Sequence, residues 1–139
     1  MKKHVLEYFN NTLDTIKNLD LKKIDQLAKS LSSIKYNKGR IFFIGVGGSA
    51  SNCSHMVNDF RKICEIESYA PTDNVAELTA RINDDGWESS LSNWLKISNL
   101  TDKDAIFVLS VGGGNKKLKV SINIIKAIDF AIQKNAKIF

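Results

Sequence analysis

Long apolar stretches are missing from this sequence. Hydrophobic residues make up 43% of the 139-residue chain, but no run of them approaches the roughly 20 residues that a membrane-spanning helix needs. The first eleven residues, MKKHVLEYFNN, are basic at the start but lack the uninterrupted apolar core of a signal peptide. The sequence therefore argues against a membrane-spanning protein and predicts a cytoplasmic one with no membrane partner.

Cysteine is also scarce, since the chain contains only Cys53 and Cys64. Both fall in a segment predicted to be one helix, where eleven residues would separate them by roughly 16 Å. That separation is too long for a disulfide bond. We therefore expect two reduced thiols in the core, as in proteins of the cytoplasm.

A strong charge of one sign is absent as well. The net charge is +5, and the lysines are spread along the chain rather than concentrated in one tract. A weakly basic surface suits anionic metabolites as well as nucleic acid, so the charge alone does not decide between them. Proline occurs once, at Pro71, and no linker or low-complexity tract interrupts the chain. The length predicts a single domain over residues 1–139.

Apolar periodicity predicts two helices followed by alternating strands and helices. The first helix carries Leu6, Phe9, Leu13 and Ile16, and the second carries Ile24, Leu27, Ala28 and Leu31, with Asp20 as its N-cap. Strands are predicted at 40–45, 66–70, 105–111 and from 136 onward, and further helices at 49–63, around 87–95 and from Leu118 to Ile132. This alternation predicts an α/β fold with a doubly wound parallel sheet.

The predicted domain has two parts. Residues 1–37 form the leading helices, whose apolar stripes lie outside the sheet core and are expected to mediate homo-oligomerisation. Residues 38–139 form the α/β core. The apolar run at 136–139 begins a strand where the chain stops. Because a natural domain seldom ends on the first residues of a central strand, we expect a chain truncated at its C-terminal end.

Two glycine-rich loops follow the ends of predicted buried strands and are expected to open helices. The first is residues 45–51, GVGGSAS, and the second is residues 110–115, SVGGGN, followed by Lys116 and Lys117. Open α/β sheets bind ligands at this edge, and helix N-termini offer free N–H groups and a positive dipole end to phosphate. A lysine at a helix start opposes the dipole unless an anion lies there, although two solvated lysines are the other interpretation.

The first loop has alternative interpretations. It is compatible with a tight strand-to-helix turn and with a dinucleotide fingerprint that places Gly45, Gly47 and Ala50 at its three positions. Two observations count against a dinucleotide fold. Two helices precede the first predicted strand, and no acidic residue clearly ends the second predicted strand. A nucleoside-triphosphate loop is excluded because no Gly-Lys-Ser/Thr follows.

The residues of both loops resemble those of the phosphoheptose isomerases, a family of SIS (sugar isomerase) proteins. Residues 45–59, GVGGSASNCSHMVND, are similar to the family segment GNGGSAADAQHFAAE without a gap. Within residues 73–87, the stretch NDDGW resembles the family's Asn-Asp-x-Gly-aromatic sequence. The loop from Ser110 takes the place of its Ser-Thr-Ser-Gly-Asn-Ser phosphate loop. The resemblance covers the whole chain, including the leading helices, which help to build a homotetramer in this family.

The resemblance implies an aldose–ketose isomerase that interconverts sedoheptulose 7-phosphate and D-glycero-D-manno-heptose 7-phosphate. It further implies a role in the biosynthesis of lipopolysaccharide heptose, and often a zinc cofactor. The family's catalytic and metal-binding pair maps onto His55 and Asp59. Implied substrate-binding residues are Val46, Gly47, Gly48, Ser49, Asp59, Asn83, Asp84, Ser110, Val111, Gly112, Gly113 and Asn115. The implied partners are a small sugar phosphate and further copies of the chain, with no nucleic acid.

Helical spacing gives the His55 and Asp59 pair a chemical interpretation of its own. Residues four apart share a helix face, and this face lies away from the apolar stripe of the same helix. A carboxylate there can move a proton between adjacent carbons through an enediol. A histidine–carboxylate pair can instead supply two ligands to zinc, and a surface ion pair is the third interpretation.

Several residues depart from the family pattern. Asp59 is one methylene shorter than the family's glutamate, Val46 replaces an asparagine, and the second loop keeps only the hydroxyl of Ser110. The family's second metal and acid–base pair, a glutamine and a histidine, lies beyond Phe139. The shorter Asp59 side chain and the altered second loop favour an alternative function, namely a non-catalytic SIS-domain protein that binds sugar phosphate or regulates a partner, like the protein that associates with the replication initiator DnaA.

Overall fold

Four short parallel strands form a sheet within residues 32–139. The structure is a computed structural model and describes residues 2–139. The strands are β1 (Ile41–Gly45), β2 (Ser68–Tyr69), β3 (Ala105–Leu109) and β4 (Lys137–Ile138), in the order β2-β1-β3-β4. Along its whole length β1 pairs with β3, from Ile41 opposite Ala105 to Gly45 opposite Leu109. The predicted parallel α/β sheet is confirmed.

Helices connect the strands and precede them. They are α1 (Lys2–Lys17), α2 (Leu21–Tyr36), α3 (Gly48–Lys62), α4 (Val75–Asp85), α5 (Ser90–Ile97) and α6 (Ile122–Gln133), with a 3₁₀ turn at Pro71–Asp73. Asp20 caps α2 as predicted, because its Oδ1 accepts hydrogen bonds from the amides of Lys22 and Lys23 at 3.0 and 3.2 Å. Within residues 2–139, no helix combines the length and apolar character needed to cross a bilayer.

Helices cover both faces of the sheet. Alternate residues of a strand point to opposite sides, so two neighbouring residues of β1 contact different helices. The Phe42 ring meets Trp94 of α5 with their centroids 5.5 Å apart, whereas Phe43 meets Phe60 of α3 at 5.0 Å. The larger buried cluster lies on the Phe42 side and comprises Phe42, Ile44, Leu91, Trp94, Leu95, Leu100, Ile106, Ile124, Ala127, Ala131 and Ala136. The prediction of a doubly wound sheet is therefore confirmed.

A buried ion pair joins the amino ends of β1 and β3. Asp104 is 2% exposed and accepts hydrogen bonds from the Arg40 amide at 2.9 Å, Arg40 Nε at 3.1 Å and Arg40 Nη2 at 2.8 Å. The amide and hydroxyl of Thr101 donate to the same carboxylate, each at 2.9 Å. This carboxylate therefore holds together two strands that lie far apart in the sequence.

The structure differs from the predicted elements at several points. Helix α4 was not predicted, and β2 is shorter than the strand predicted at 66–70. Trp87 and Leu118 lie outside the helices to which they were assigned, at 43% and 74% exposure. Cys64 follows α3 and is exposed, so the prediction of two core thiols holds only for Cys53.

The chain divides into two compact units, one ending at Leu31 and the other from Ser32 to Phe139. The predicted single domain with a division at residue 37 is not tested by this and stays a prediction. In the first unit, α1 has no buried residue. Its apolar stripe of Leu6, Phe9, Leu13 and Ile16 is between 53% and 59% exposed, which leaves a continuous apolar surface along the helix.

Candidate functional site

The carboxyl ends of β1 and β3 lie side by side at one edge of the sheet. From β1 the chain crosses to β2 on one side, and it later returns to β3 on the other side. This reversal of direction opens a crevice between the loops that follow the two strands, and ligands of open α/β sheets bind in such crevices. The two glycine loops predicted as phosphate-binding elements therefore meet at the same place.

A cleft of about 230 Å³ occupies this crevice. Its lining consists of apolar and small polar side chains, with no charged residue among them. The lining residues are Val46, Ser49, Leu109, Ser110, Val111, Gly112, Val120, Ser121 and Ile124. Three hydroxyl groups, from Ser49, Ser110 and Ser121, thus accompany the backbone of both loops in an otherwise apolar cleft.

The glycines of the first loop serve two different physical needs. Gly47 has φ of 62°, a conformation that side chains rarely adopt. A Cβ on Gly45 would lie only 2.7 Å from the carbonyl carbon of Ser49, so the strand end packs directly on the first turn of α3. A Cβ on Gly48 would meet no atom within 4 Å. Gly48 therefore leaves open space in front of the helix N-terminus.

The second loop does not open a helix as predicted. Its Gly113 amide donates to Ser110 Oγ at 3.1 Å, and Gly113 has φ of 65°. Asn115 and Val120 then pair as a short antiparallel bridge, and α6 begins only at Ile122. Lys116 therefore lies in a turn rather than at a helix start, and its Nζ pairs with Asp129 at 3.0 Å.

Four cleft residues were not predicted: Leu109, Val120, Ser121 and Ile124. The most informative of them is Ser121, which precedes α6 in a left-handed conformation with φ of 51°. A signal for it existed in the sequence, because a serine directly before an apolar run with helical spacing marks a helix start. This signal was missed because the helix observed as α6 was predicted to begin earlier, at Leu118.

His55 and Asp59 lie on α3 and are not among the residues that line the cleft. Their Nε2 and Oδ2 atoms are 3.3 Å apart, and their side chains are 77% and 42% exposed. A zinc site needs at least three protein ligands, and across residues 2–139 no group of three or more metal-ligating side chains is found. The donors present therefore do not fit a complete zinc centre.

The other predicted binding residues lie in the cleft lining, in the two glycine loops and in α4. Val46, Ser49, Ser110, Val111 and Gly112 line the cleft. Outside its lining, Gly47, Gly48, Gly113 and Asn115 are exposed in the two loops. Asn83 and Asp84 lie in the last turn of α4, where the Asn83 amide donates to Asp84 at 2.8 Å. The roles of all these residues stay predictions.

The buried thiol of α3 is not a reactive group. Burial, with a smaller contribution from the charge of Asp73, raises the pKa of Cys53 to about 11. The thiol is therefore protonated at neutral pH and behaves as a small apolar side chain. Next to it, Ser54 Oγ donates to Asp73 at 2.5 Å and ties α3 to the 3₁₀ turn.

Three known proteins similar to this chain in sequence or in fold are phosphoheptose isomerases. The phosphoheptose isomerase of Aneurinibacillus thermoaerophilus is 29% identical over 119 residues, which cover 82% of this chain. The solved phosphoheptose isomerase of Neisseria gonorrhoeae superposes on 99% of this chain with a TM-score of 0.83. The chain resembles phosphoheptose isomerases in sequence and in fold. The resemblance inferred from the two glycine loops is thereby confirmed.

These relatives are longer than the chain. It spans 57% of the Aneurinibacillus protein and 70% of the Neisseria structure. The solved phosphoheptose isomerase of Francisella tularensis, of which it spans 72%, also has a TM-score of 0.83. Both structures are 24% identical in sequence, so they establish the fold alone. No family model matches the chain.

Proposed function

We propose that this chain is part of a sugar-phosphate isomerase that interconverts sedoheptulose 7-phosphate and D-glycero-D-manno-heptose 7-phosphate. The observation that carries the proposal is the cleft between the two glycine loops, at the crevice where α/β sheets bind ligands. The resemblance to phosphoheptose isomerases supports the choice of substrate. The two free cysteines agree with a cytoplasmic location, which we propose with it.

The phosphate group is proposed to lie at the start of α3. The first amides of a helix have no partner within the helix, and α3 begins at Gly48 with its N-cap Gly47 making no side-chain cap bond. The absence of side chains on both glycines lets an anion approach those amides. Ser49, Ser110 and Ser121 in the cleft lining supply hydroxyl donors from the other sides.

The proposed chemistry is a proton transfer between adjacent carbons. A base removes the proton from the carbon next to the carbonyl while the carbonyl oxygen gains a proton, which gives a neutral enediol. The former carbonyl carbon then gains a proton, and the hydroxyl on the carbon that was first deprotonated loses its proton to become the new carbonyl, without a net change in oxidation state. Asp59 is the proposed base, and His55, 3.3 Å away, orients its carboxylate.

A Gly48→Leu variant is expected to lose sugar-phosphate binding. A Cβ at this position would meet no atom within 4 Å, and the rest of the leucine side chain is expected to extend into the open space before the helix amides, so the fold should remain intact. Calorimetric titration with sedoheptulose 7-phosphate should show affinity reduced by at least about 100-fold, which corresponds to about 2.7 kcal/mol. The midpoint temperature of thermal unfolding should remain within about 2 °C of that of the wild-type chain.

The matched control for this variant is Gln133→Leu. It adds one exposed leucine at the last residue of α6, at the opposite edge of the sheet, and should leave binding unchanged. Full affinity in Gly48→Leu would show that the phosphate does not lie at the start of α3. Failure of the wild-type chain to bind any sugar 7-phosphate would contradict the proposed function itself.

A binding or regulatory protein is the second candidate function. The apolar residues Val46, Val111 and Val120 at the cleft are 38%, 104% and 50% exposed, and exposed apolar side chains near a site favour contact with a macromolecule. The His55 and Asp59 pair also lies outside the cleft lining. Binding of sedoheptulose 7-phosphate without its conversion by the full-length protein would favour this candidate over the isomerase.

Self-association through α1 is proposed as part of the same function. The stripe of Leu6, Phe9, Leu13 and Ile16 is more than half exposed, and an amphipathic helix gains stability by burying such a stripe. Closed homo-oligomers repeat one interface between identical copies. We propose a homotetramer in which these stripes meet.

A Leu13→Glu variant is expected to dissociate that oligomer. The carboxylate would be buried without a partner in the middle of the interface, which is strongly unfavourable. Light scattering should give about four times the chain mass of 15.5 kDa for the wild-type protein and a single chain mass for the variant. Asn11→Glu, on the opposite face of α1, is the control and should keep the wild-type mass. A monomeric wild-type protein would contradict the proposed assembly.

A further inference from the structure

A short hairpin stands between β3 and α6, formed by residues Asn115–Val120 and called here the basic hairpin. Two backbone hydrogen bonds close it, from the Asn115 amide to the Val120 carbonyl at 2.9 Å and from the Val120 amide to the Asn115 carbonyl at 3.0 Å. Asn115 Oδ1 also accepts a bond from the Leu118 amide at 3.0 Å. The turn thus has its own hydrogen-bonded structure rather than being an irregular loop.

Both ends of the basic hairpin lead into the cleft. Val111 and Gly112 line the cleft before it, and its last residue, Val120, lines the cleft together with Ser121. The Lys116 ammonium pairs with Asp129 of α6 at 3.0 Å, which fixes the hairpin to the helix that follows. Lys119 directly precedes the lining residue Val120, so the hairpin adjoins the rim of the cleft.

The charge of this segment is positive and unopposed along the chain. Lys116, Lys117 and Lys119 fall within four residues, and the sequence has no aspartate or glutamate between Asp104 and Asp129. Lys117 and Lys119 are exposed, and among the ion pairs of residues 2–139 neither takes part in one. With Lys116 neutralised by Asp129, two positive charges remain free at the rim.

The basic hairpin supplies positive charge that the cleft lining lacks. A phosphate group carries up to two negative charges, but the cleft lining contains no cationic side chain. Walls of low polarity, to which Val46, Val111 and Ile124 contribute, focus the field of nearby charges into a cleft. Charges at the rim act before contact, because the Debye length is about 10 Å at 0.1 M salt and about 30 Å at 0.01 M.

We propose that the basic hairpin recruits anionic substrates to the cleft through the charges of Lys117 and Lys119. The proposal rests on the proposed function only in taking sugar phosphate as the natural ligand, since any small phosphate anion should respond in the same way. Phosphate contacts inside the cleft come from backbone amides and hydroxyls, whereas the hairpin adds a long-range attraction. Its signature is an affinity that depends on both lysines at low ionic strength and not at high ionic strength.

The test compares two double variants with equal net charge. Lys117→Gln/Lys119→Gln removes the rim charges. Lys38→Gln/Lys103→Gln removes two exposed lysines just before β1 and β3, at the opposite edge of the sheet. Binding of sedoheptulose 7-phosphate and of inorganic phosphate is measured for both variants and the wild-type chain. At about 20 mM ionic strength the hairpin variant should bind about fivefold more weakly than the control variant, and at about 500 mM the difference should fall below about twofold.

The outcomes separate this inference from the proposed function. Equal affinities of the two variants at low ionic strength would overturn the role of the hairpin, as would a loss that persists unchanged at high salt. If the wild-type chain bound inorganic phosphate with the expected lysine dependence but not the heptulose phosphate, the proposed substrate would be wrong and the hairpin's role would stand. Absence of binding to both anions would overturn both.

Discussion

An Asp104→Asn variant is expected to be about 3 kcal/mol less stable to unfolding than the wild-type chain, because breaking a buried ion pair leaves its partner charge uncompensated. The carboxylate accepts five hydrogen bonds from Arg40 and Thr101. An asparagine has the same shape but offers one oxygen and two donor hydrogens. Arg40 would then face a donor where it now has an acceptor.

The effect of Asp104→Asn should depend on pH in a defined direction. Burial acts to raise the pKa of Asp104, but its hydrogen bonds to Arg40 and Thr101 outweigh burial and hold that pKa below its ordinary value. The ionised carboxylate therefore adds stability at every pH above the unfolded value of about 3.9, and this stability is lost as the pH falls through the lowered folded pKa. The difference between wild type and variant should narrow in strong acid.

Urea unfolding at neutral pH and at several acid pH values measures both effects. Asp102→Asn is the matched control, because Asp102 lies two residues away in an exposed turn. It should change the free energy of unfolding by less than about 0.5 kcal/mol. If Asp104→Asn were as mild as this control, the carboxylate would not be what holds the amino ends of β1 and β3 together.

A Gly45→Val variant is expected to lose both stability and sugar-phosphate binding. Gly45 ends β1, and a Cβ there would lie 2.7 Å from the carbonyl carbon and 2.8 Å from the carbonyl oxygen of Ser49. These are backbone atoms in the first turn of α3, so the helix must move away from the strand. Such overpacking costs about 3 kcal/mol, and the shift would displace the amides proposed to bind phosphate.

Comparison with Gly48→Leu makes this prediction specific. Both glycines belong to the same loop, but only at Gly45 would an added Cβ meet backbone atoms. The midpoint temperature of thermal unfolding should therefore fall sharply in Gly45→Val and remain unchanged in Gly48→Leu. Both variants should nevertheless lose sugar-phosphate binding in calorimetry. A Gly45→Val protein with wild-type stability would mean that β1 and α3 are not packed as closely as the structure has them.

The alternation of strands and helices was predictable from the sequence because it depends on local periodicity. The runs at 41–45 and 105–109 are apolar in consecutive positions, as strands covered on both faces must be. Parallel strands bring their following loops to one edge of a sheet, so the two glycine loops were expected near each other. They do meet, and Val46, Ser49, Ser110, Val111 and Gly112 line a common cleft.

Two segments were predicted incorrectly although the interactions that shape them are local. Helix α4 carries Val75, Leu78 and Ile82 at helical spacing, and Asn74 caps it by accepting a bond from the Glu77 amide at 3.2 Å, but neither signal was used in the prediction. The lysines after Gly114 were assigned to a helix start, whereas Asn115 pairs with Val120 and delays α6 to Ile122. Glycine, asparagine and lysine are compatible with either conformation, so sequence spacing did not distinguish them.

The sequence by itself determined the parallel α/β architecture, the two leading helices and the positions of both glycine loops. Only the tertiary structure decided that Ser121 reaches the cleft, that Asp104 joins Arg40 across 64 residues, and that the His55 and Asp59 pair lies outside the cleft lining. The physical reason is the range of the interactions. Periodicity and turn chemistry act between residues a few positions apart, whereas a cleft, a buried ion pair and a free charge are defined by residues that meet only when the chain is folded.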